Sequence, residues 1–406
     1  MKLERRYLAW LSGGTLGLIA LAVLFNWFVN PFSVFDSPTI PHFNANKPNY
    51  VEHLRLTHVY RVSRLKPQCI LLGTSRTGRG LSPDHPALAD LKCYNLALPA
   101  ISLYEIRRYL QHAQATQPQK LVILSIDFRT FNTGPDKSGA FSESRLRVNS
   151  QGERQFNLFS SRLPDMASSL VSTSALLASL TTIRKQAWGK DTLAADGYWK
   201  PLTEGYDHFT AFGAYTQNSA RRFDELLINK DIFRRNTDEL RQLLREAYDN
   251  GIDVRVLIPP SHAWHWQTLW LSGLWPRFEE MKRQLVKVNK EEALRAGRVA
   301  YPVWDFSGAY GPALEQSPST RTQTMHWFWE PVHYKRALGD ALLSRIMKAT
   351  EHDQAKTSEF GVLLDSQGLE HHLGNLRALQ QAYATSHPDD MARIMTSIKQ
   401  ARKHGR

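Results

Sequence analysis

Ser75 lies in the run Leu71-Leu72-Gly73-Thr74-Ser75-Arg76-Thr77-Gly78-Arg79-Gly80, just past a short apolar segment. A serine at a strand end, followed by small residues, can present its hydroxyl at a sheet edge. Its own N–H, at a helix start, can stabilise an oxyanion. The spacing of Gly73, Gly78 and Gly80 does not match GxGxxG, and GxSxG is absent, so a structural turn is the competing reading. Far along the chain stands Trp327-Phe328-Trp329-Glu330-Pro331-Val332-His333-Tyr334-Lys335, ahead of an amphipathic stretch. An acid three residues before a histidine can hold Nδ1–H and free Nε2 to take a proton from a serine hydroxyl. Asp305, at the end of the last predicted strand, is an alternative orienting acid or a cap. His262, in Pro259-Pro260-Ser261-His262, is either a substrate contact on the Ser75 edge or a satisfied loop histidine. His262 and His265 have no third ligand at suitable spacing, so no metal site is expected. The tryptophans at 264, 266, 270, 275, 327 and 329 belong to the core, or in part stack on sugar rings, with Trp329 the candidate substrate contact.

The elements that must position these groups are short apolar runs: Cys69-Ile70-Leu71-Leu72, Leu121 to Ile126, Val254 to Ile258, Val299 to Trp304, and the shorter Cys93-Tyr94-Asn95-Leu96. Runs with little alternation read as strands buried on both faces, as in a parallel sheet. Helical patterns lie between them, at Leu103 to Ala115, Asn236 to Tyr248 and Arg277 to Ala296. Alternating strands and helices imply βαβ units and a three-layer, open, mostly parallel α/β sheet. Ser102 and Glu105 predict a capping box, and Asn250-Gly251 a helix end. The stretch 133–223 breaks the rhythm and reads as an insertion over the carboxyl edge of the sheet, where such folds bind ligands. The organisation expected is therefore a flank and anchor at 1–34, a connector at 35–66, an α/β domain at 67–350 and a polar helical tail at 351–406.

The chain has 406 residues, 22 % of them charged and 11 % aromatic, which excludes wholesale disorder. Its two cysteines exclude a disulfide scaffold; Cys69 and Cys93, in neighbouring predicted strands, are expected to be buried free thiols. Tyr7 to Val34 carries no charge and is long enough to span a bilayer. Trp10, Trp27 and Phe28 suit interfacial belts, and Lys2, Arg5 and Arg6 predict a cytoplasmic N-terminus with an exported body. A cleaved signal peptide is the alternative, but no Ala-x-Ala-like site follows. Export removes nucleic acid as an explanation for the net charge of +13. What remains is a solvated surface or a preference for anionic glycans or lipid headgroups.

Gly73-Thr74-Ser75 after the first strand, with Glu330-x-x-His333 before the final helix of the domain, resembles the SGNH (GDSL-like) hydrolase superfamily over about 68–346. It is most similar to membrane-anchored bacterial members linked to exopolysaccharide O-acetylation or teichoic-acid alanylation. The resemblance implies a flavodoxin-like sheet with Ser75 as nucleophile, His333 as general base and Glu330 as its orienting acid. It places Asn95 as an oxyanion donor in the second block and Asp127 where the third block carries Asn; an ionised Asp127 can only accept hydrogen bonds, so Arg76 or Arg129 is its expected partner. The second block lacks its usual Gly, and Glu330 stands where Asp is more common. No cofactor is implied. The partners implied are a glycan or acylated polysaccharide and a membrane-bound O-acyltransferase. The location implied is the periplasmic face of a bacterial inner membrane, reached through one helix. A catalytically inactive scaffold subunit of a polysaccharide machine is the alternative.

Overall fold

A computed structural model describes residues 2–48, 50–134, 140–186, 192–200, 205–228, 231–348 and 360–403. Cys69–Leu72 (β1) and Leu121–Ser125 (β3) are buried at every position, because both faces of each strand are covered by helices. Cys93–Asn95 (β2), Asp253–Ile258 (β6) and Val303–Asp305 (β7) join them in parallel, and Val362–Leu364 (β8) adds an antiparallel edge. Thr192–Leu193 (β4) and Trp199–Lys200 (β5) form a separate ribbon. The main sheet runs β2-β1-β3-β6-β7-β8. Side chains alternate between two cores: Ile70, Leu72, Val122 and Val256 on one face, Leu71, Ile123, Leu257 and Trp304 on the other.

The strand order fixes where a site can form. The chain leaves β1 toward β2, then crosses back over β1 to reach β3 and continues the other way. At such a switch point the loops beyond the carboxyl ends of β1 and β3 diverge and leave a crevice. Ser75 follows β1 and Asp127 follows β3, so both flank that crevice.

The helices between the strands start and stop where the sequence signals lie. Leu103–Thr116 is capped by Ser102 Oγ, which accepts from Glu105 N at 3.2 Å. Asp231–Asp249 ends at Gly251, whose φ of +65° suits a glycine. Trp275–Arg295 connects β6 to β7. The strand expected at 299–304 is shorter, because only Val303 to Asp305 pair with β6.

Three expectations are corrected. The connector 35–66 contains a helix, Tyr50–Leu65, whose Leu54, Val59 and Val62 are buried in the domain core. The C-terminal segment is helical as expected but is not a tail apart from the domain: it supplies β8 and two helices, Leu369–Ser386 and Pro388–Lys403, with Leu373, Ile394 and Ile398 buried. An ionic cluster ties it down, because fully buried Asp305 at the end of β7 meets Lys282 Nζ at 2.7 Å and His372 Nε2 at 2.8 Å. Residues 351–359 of that segment lie outside the described residues. Finally, Cys69 and Cys93 are not free thiols, because they face each other in register across β1 and β2 and form a disulfide. Within the insertion, Phe159–Val171 and Thr173–Arg184 pack on the N-terminal helix, whereas His208–Ile228 covers the crevice. Residues 135–139, 187–191 and 201–204 of the expected insertion lie outside the described residues. The N-terminal helix, Lys2–Val29, is long and apolar enough to cross a membrane.

The disulfide closes a loop with a sequence separation of 24. Such a closure contributes about 3 kcal/mol by restricting the unfolded chain. Replacing both cysteines with alanine is therefore expected to lower the thermal midpoint by several degrees, and a thiol reductant that opens the bridge should lower the wild-type midpoint similarly.

Candidate active site

Ser75 opens the short helix Ser75–Gly80, with Thr74 as its N-cap. His333 is carried by a tight loop closed by backbone bonds: Trp329 N–H donates to His333 O at 2.8 Å and Lys335 N–H to Trp327 O at 2.7 Å. His333 Nε2 lies 2.7 Å from Ser75 Oγ, although the two residues are 258 positions apart. On its other side, His333 Nδ1 meets Glu330 Oε1. The same carboxylate accepts the N–H groups of Val332 at 3.2 Å and His333 at 3.0 Å, so one side chain shapes the loop and orients the imidazole. Burial pushes the Glu330 pKa up, but His333 and the loop N–H groups outweigh it and hold the carboxyl below its ordinary value. Glu330 is thus ionised at neutral pH.

The two halves of this arrangement meet at a backbone contact. Helix Arg336–Lys348, which follows the histidine loop, crosses helix Ser75–Gly80 so closely that a Cβ on Gly339 would lie 1.7 Å from Gly80 O. A Cβ on Gly80 would fall 1.9 Å from the Tyr334 ring, which is fully buried beside it. Only glycine permits this approach.

Asp127 caps helix Phe128–Asn132 and is buried. It accepts from Thr74 Oγ1 at 2.7 Å, Thr130 N at 2.8 Å and Thr130 Oγ1 at 3.1 Å, and pairs with Arg76 Nε at 3.5 Å. Burial raises its pKa, but Arg76 and these donors hold it below the usual carboxylate value. Of the two partners expected for Asp127, the structure pairs it with Arg76. Arg76 also donates to Ser261 Oγ at 3.1 Å, linking the loops after β1, β3 and β6.

Ser75, Arg76, Asp127, Glu330 and His333 all line one cavity of about 1030 Å³. Its roof is helix His208–Ile228, which contributes Ala211, Ala214, Tyr215, Asn218, Arg222 and Phe223 at the three- and four-residue spacing of one helix face. Arg129 and Arg222 line it too, with no ion-pair or hydrogen-bond partner for either guanidinium among the described residues. Desolvation and the neighbouring Arg222 lower the Arg129 pKa, and Asp127 opposes them in part. His265 is buried at its wall; its Nδ1 meets Tyr215 Oη, its Nε2 has no hydrogen-bond partner among the described residues, and burial together with Arg76 keeps it neutral.

Other expected site residues are placed elsewhere. The Asn95 amide donates to Thr77 O at 3.0 Å and Leu81 O at 2.8 Å, so both of its N–H bonds brace the Ser75 helix and none is left for an oxyanion. His262, one candidate substrate contact, does not line the cavity. It is fully buried, its Nδ1 accepts from Trp264 N at 3.1 Å, and its Nε2 lies 2.5 Å from Glu315 O. Its own N–H donates to Pro331 O at 2.9 Å and supports the histidine loop. Trp329 packs against Tyr206, His208 and Lys335 rather than lining the cavity. Asp305 belongs to the core cluster with Lys282 and His372. The roof residues Tyr215 and Arg222 and the Gly339 contact were not singled out from the sequence. The first two were legible as an amphipathic stripe, and the third has no local signal.

No family model matches the chain, and no curated protein matches it.

A Gly339→Ala substitution is expected to push the histidine loop off the serine helix. Any activity that depends on Ser75 should fall at least tenfold, with a loss of melting temperature. Ala337→Gly, on the same helix, should change neither by a comparable amount.

Proposed function

We propose that the chain is a membrane-anchored serine acyl-transfer enzyme that moves or removes an O-acyl group on an extracytoplasmic polysaccharide. The observation that carries this reading is the hydrogen-bonded chain Ser75–His333–Glu330 at the floor of a large cavity. Ser75 Oγ attacks the acyl carbonyl while His333 Nε2 takes its proton, and Glu330 stabilises the imidazolium. His333 returns the proton to the departing alcohol, leaving the acyl group esterified to Ser75. A sugar hydroxyl or water, deprotonated by His333, then attacks that ester and releases Ser75. Transfer to the sugar makes the protein an O-acyltransferase and transfer to water an esterase.

Several features support the setting. The basic flank of the N-terminal helix favours a cytoplasmic N-terminus, and a disulfide in the body fits an oxidising compartment. The unpaired Arg129 and Arg222 suit an acidic glycan. The similarity to SGNH enzymes of polysaccharide O-acetylation, which pair with a multi-spanning membrane-bound acyltransferase, favours transfer over hydrolysis. The inactive scaffold alternative draws on both Asn95 N–H bonds being spent on Thr77 O and Leu81 O and on ionised Asp127 being acceptor-only.

The test is hydrolysis of an activated acetyl ester by the full chain in detergent, beside Ser75→Ala, His333→Ala and Glu330→Gln variants whose melting curves match wild type. Losses on the order of 10³-fold or more are expected for the first two and somewhat less for the third. Unchanged hydrolysis in Ser75→Ala would remove the nucleophile assignment, and a wild-type protein without activity on any acyl donor would favour the scaffold.

A further inference from the structure

Two helices of the insertion have an amphipathic character that the cavity does not explain. Phe159–Val171 and Thr173–Arg184 meet at Ser172 with a bend of 60° and carry no charged residue between Met166 and Ile183. Their outward face is uncharged from Leu163 to Leu180 and carries an apolar stripe among small hydroxyl residues. Leu163, Ala167 and Val171 recur every four residues on the first helix and Leu177 and Leu180 continue it on the second, beside exposed Ser168, Thr173 and Ser174. Phe159, Val171 and Leu177 are each about two-thirds exposed, and Phe156, just before, is 79 % exposed. Two of the three charged groups turn the other way, and the third, Arg184, is exposed at the far end of the second helix. Asp165 pairs with Arg145 at 2.7 Å and Arg162 donates to Ser63 Oγ at 3.1 Å, both toward the domain. Some polar side chains bond within the pair: Thr182 Oγ1 donates to Ala178 O at 2.8 Å and Ser172 Oγ caps Ala175 N at 3.1 Å, whereas buried Ser169 Oγ has no partner among the described residues.

The position of this pair identifies what covers it. It packs on the outer end of the N-terminal helix, where Asn26 Nδ2 donates to Leu170 O at 2.8 Å and Ser179 Oγ donates to Asn26 Oδ1 at 2.8 Å. A bilayer core of about 30 Å takes about twenty helical residues. Counted from Tyr7, the first residue after the charged flank, twenty residues end at Asn26. The helix pair therefore sits at the depth where the distal leaflet begins. Asn26, which would be costly in hydrocarbon if unpaired, has its amide bonded on both sides.

We infer that the helix pair Phe159–Arg184 is a second membrane contact, lying in the leaflet on the side of the body without crossing it, its apolar face in lipid. The inference rests on the N-terminal helix being a membrane anchor. Two contacts instead of one fix the tilt of the body and remove its free rotation about a single helix. The mouth of the cavity is thereby held at a set height over the membrane.

Site-directed quenching in vesicles tests this. Full chain carrying Leu177→Cys or Val171→Cys, labelled with a bimane under non-reducing conditions, is reconstituted in phosphatidylcholine–phosphatidylglycerol vesicles with nitroxide-bearing lipids. Leu18→Cys in the N-terminal helix and Leu294→Cys on an exposed distant helix are the references. The expected result is several-fold stronger lipid quenching at positions 171, 177 and 18 than at 294, with aqueous iodide showing the reverse order. Quenching at 18 but iodide access at 171 and 177 overturns the second contact and leaves the anchor standing. No lipid quenching at any position overturns both. Shielding of 171 and 177 from lipid and iodide alike means that a protein surface, such as a second copy, covers the face, and also overturns the inference.

Discussion

The close crossing of two backbones at Gly80 and Gly339 is the contact on which the arrangement around Ser75 depends. The serine helix is only six residues long and the histidine loop is held by a few hydrogen bonds, so neither has much rigidity of its own. Each gains it from the other. Helix Arg336–Lys348 brings its backbone against Gly80 O, Tyr334 fills the space beside Gly80, and the histidine loop that leads into the helix is carried to Ser75. Asn95 holds the end of the same serine helix through Thr77 O and Leu81 O. A group expected to donate to an oxyanion thus serves to hold the Ser75 helix in place.

Charge is handled in the same economical way around the crevice. Two buried carboxylates face the cavity, and each is fully engaged: Asp127 by Thr74, Thr130 and Arg76, Glu330 by His333 and two N–H groups. Neither makes an ion pair with Arg129 or Arg222, the two other arginines that line the cavity. A third buried carboxylate, Asp305, is spent on Lys282 and His372, where it fastens the C-terminal helices to the sheet. Three acids of similar appearance in the sequence therefore do three different jobs, decided by which element each one ends.

The parallel sheet was legible because both-face burial leaves an uninterrupted apolar run, and all five runs became strands. Ser75, Glu330 and His333 were legible because their types and local spacing state a chemistry. What escaped depends on contacts between distant segments. The helix within 35–66 and the C-terminal helices have mixed surfaces whose burial is set by partners far away in the chain. Cys69 and Cys93 became neighbours only through the register of β1 on β2. His262 sat on the expected edge, but its ring turned to Glu315 O and Trp264 N. Gly339 has no local signature at all, because the atom that excludes a side chain there belongs to Gly80.

The central claim is that Ser75 is a nucleophile activated by His333, and covalent trapping addresses it most directly. The full chain in detergent is treated with a fluorophosphonate and the adduct located by mass spectrometry. The account predicts phosphonylation at Ser75 that is lost in His333→Ala while the melting curve is retained. A protein that takes up no phosphonate, or takes it up at a residue other than Ser75, would contradict it.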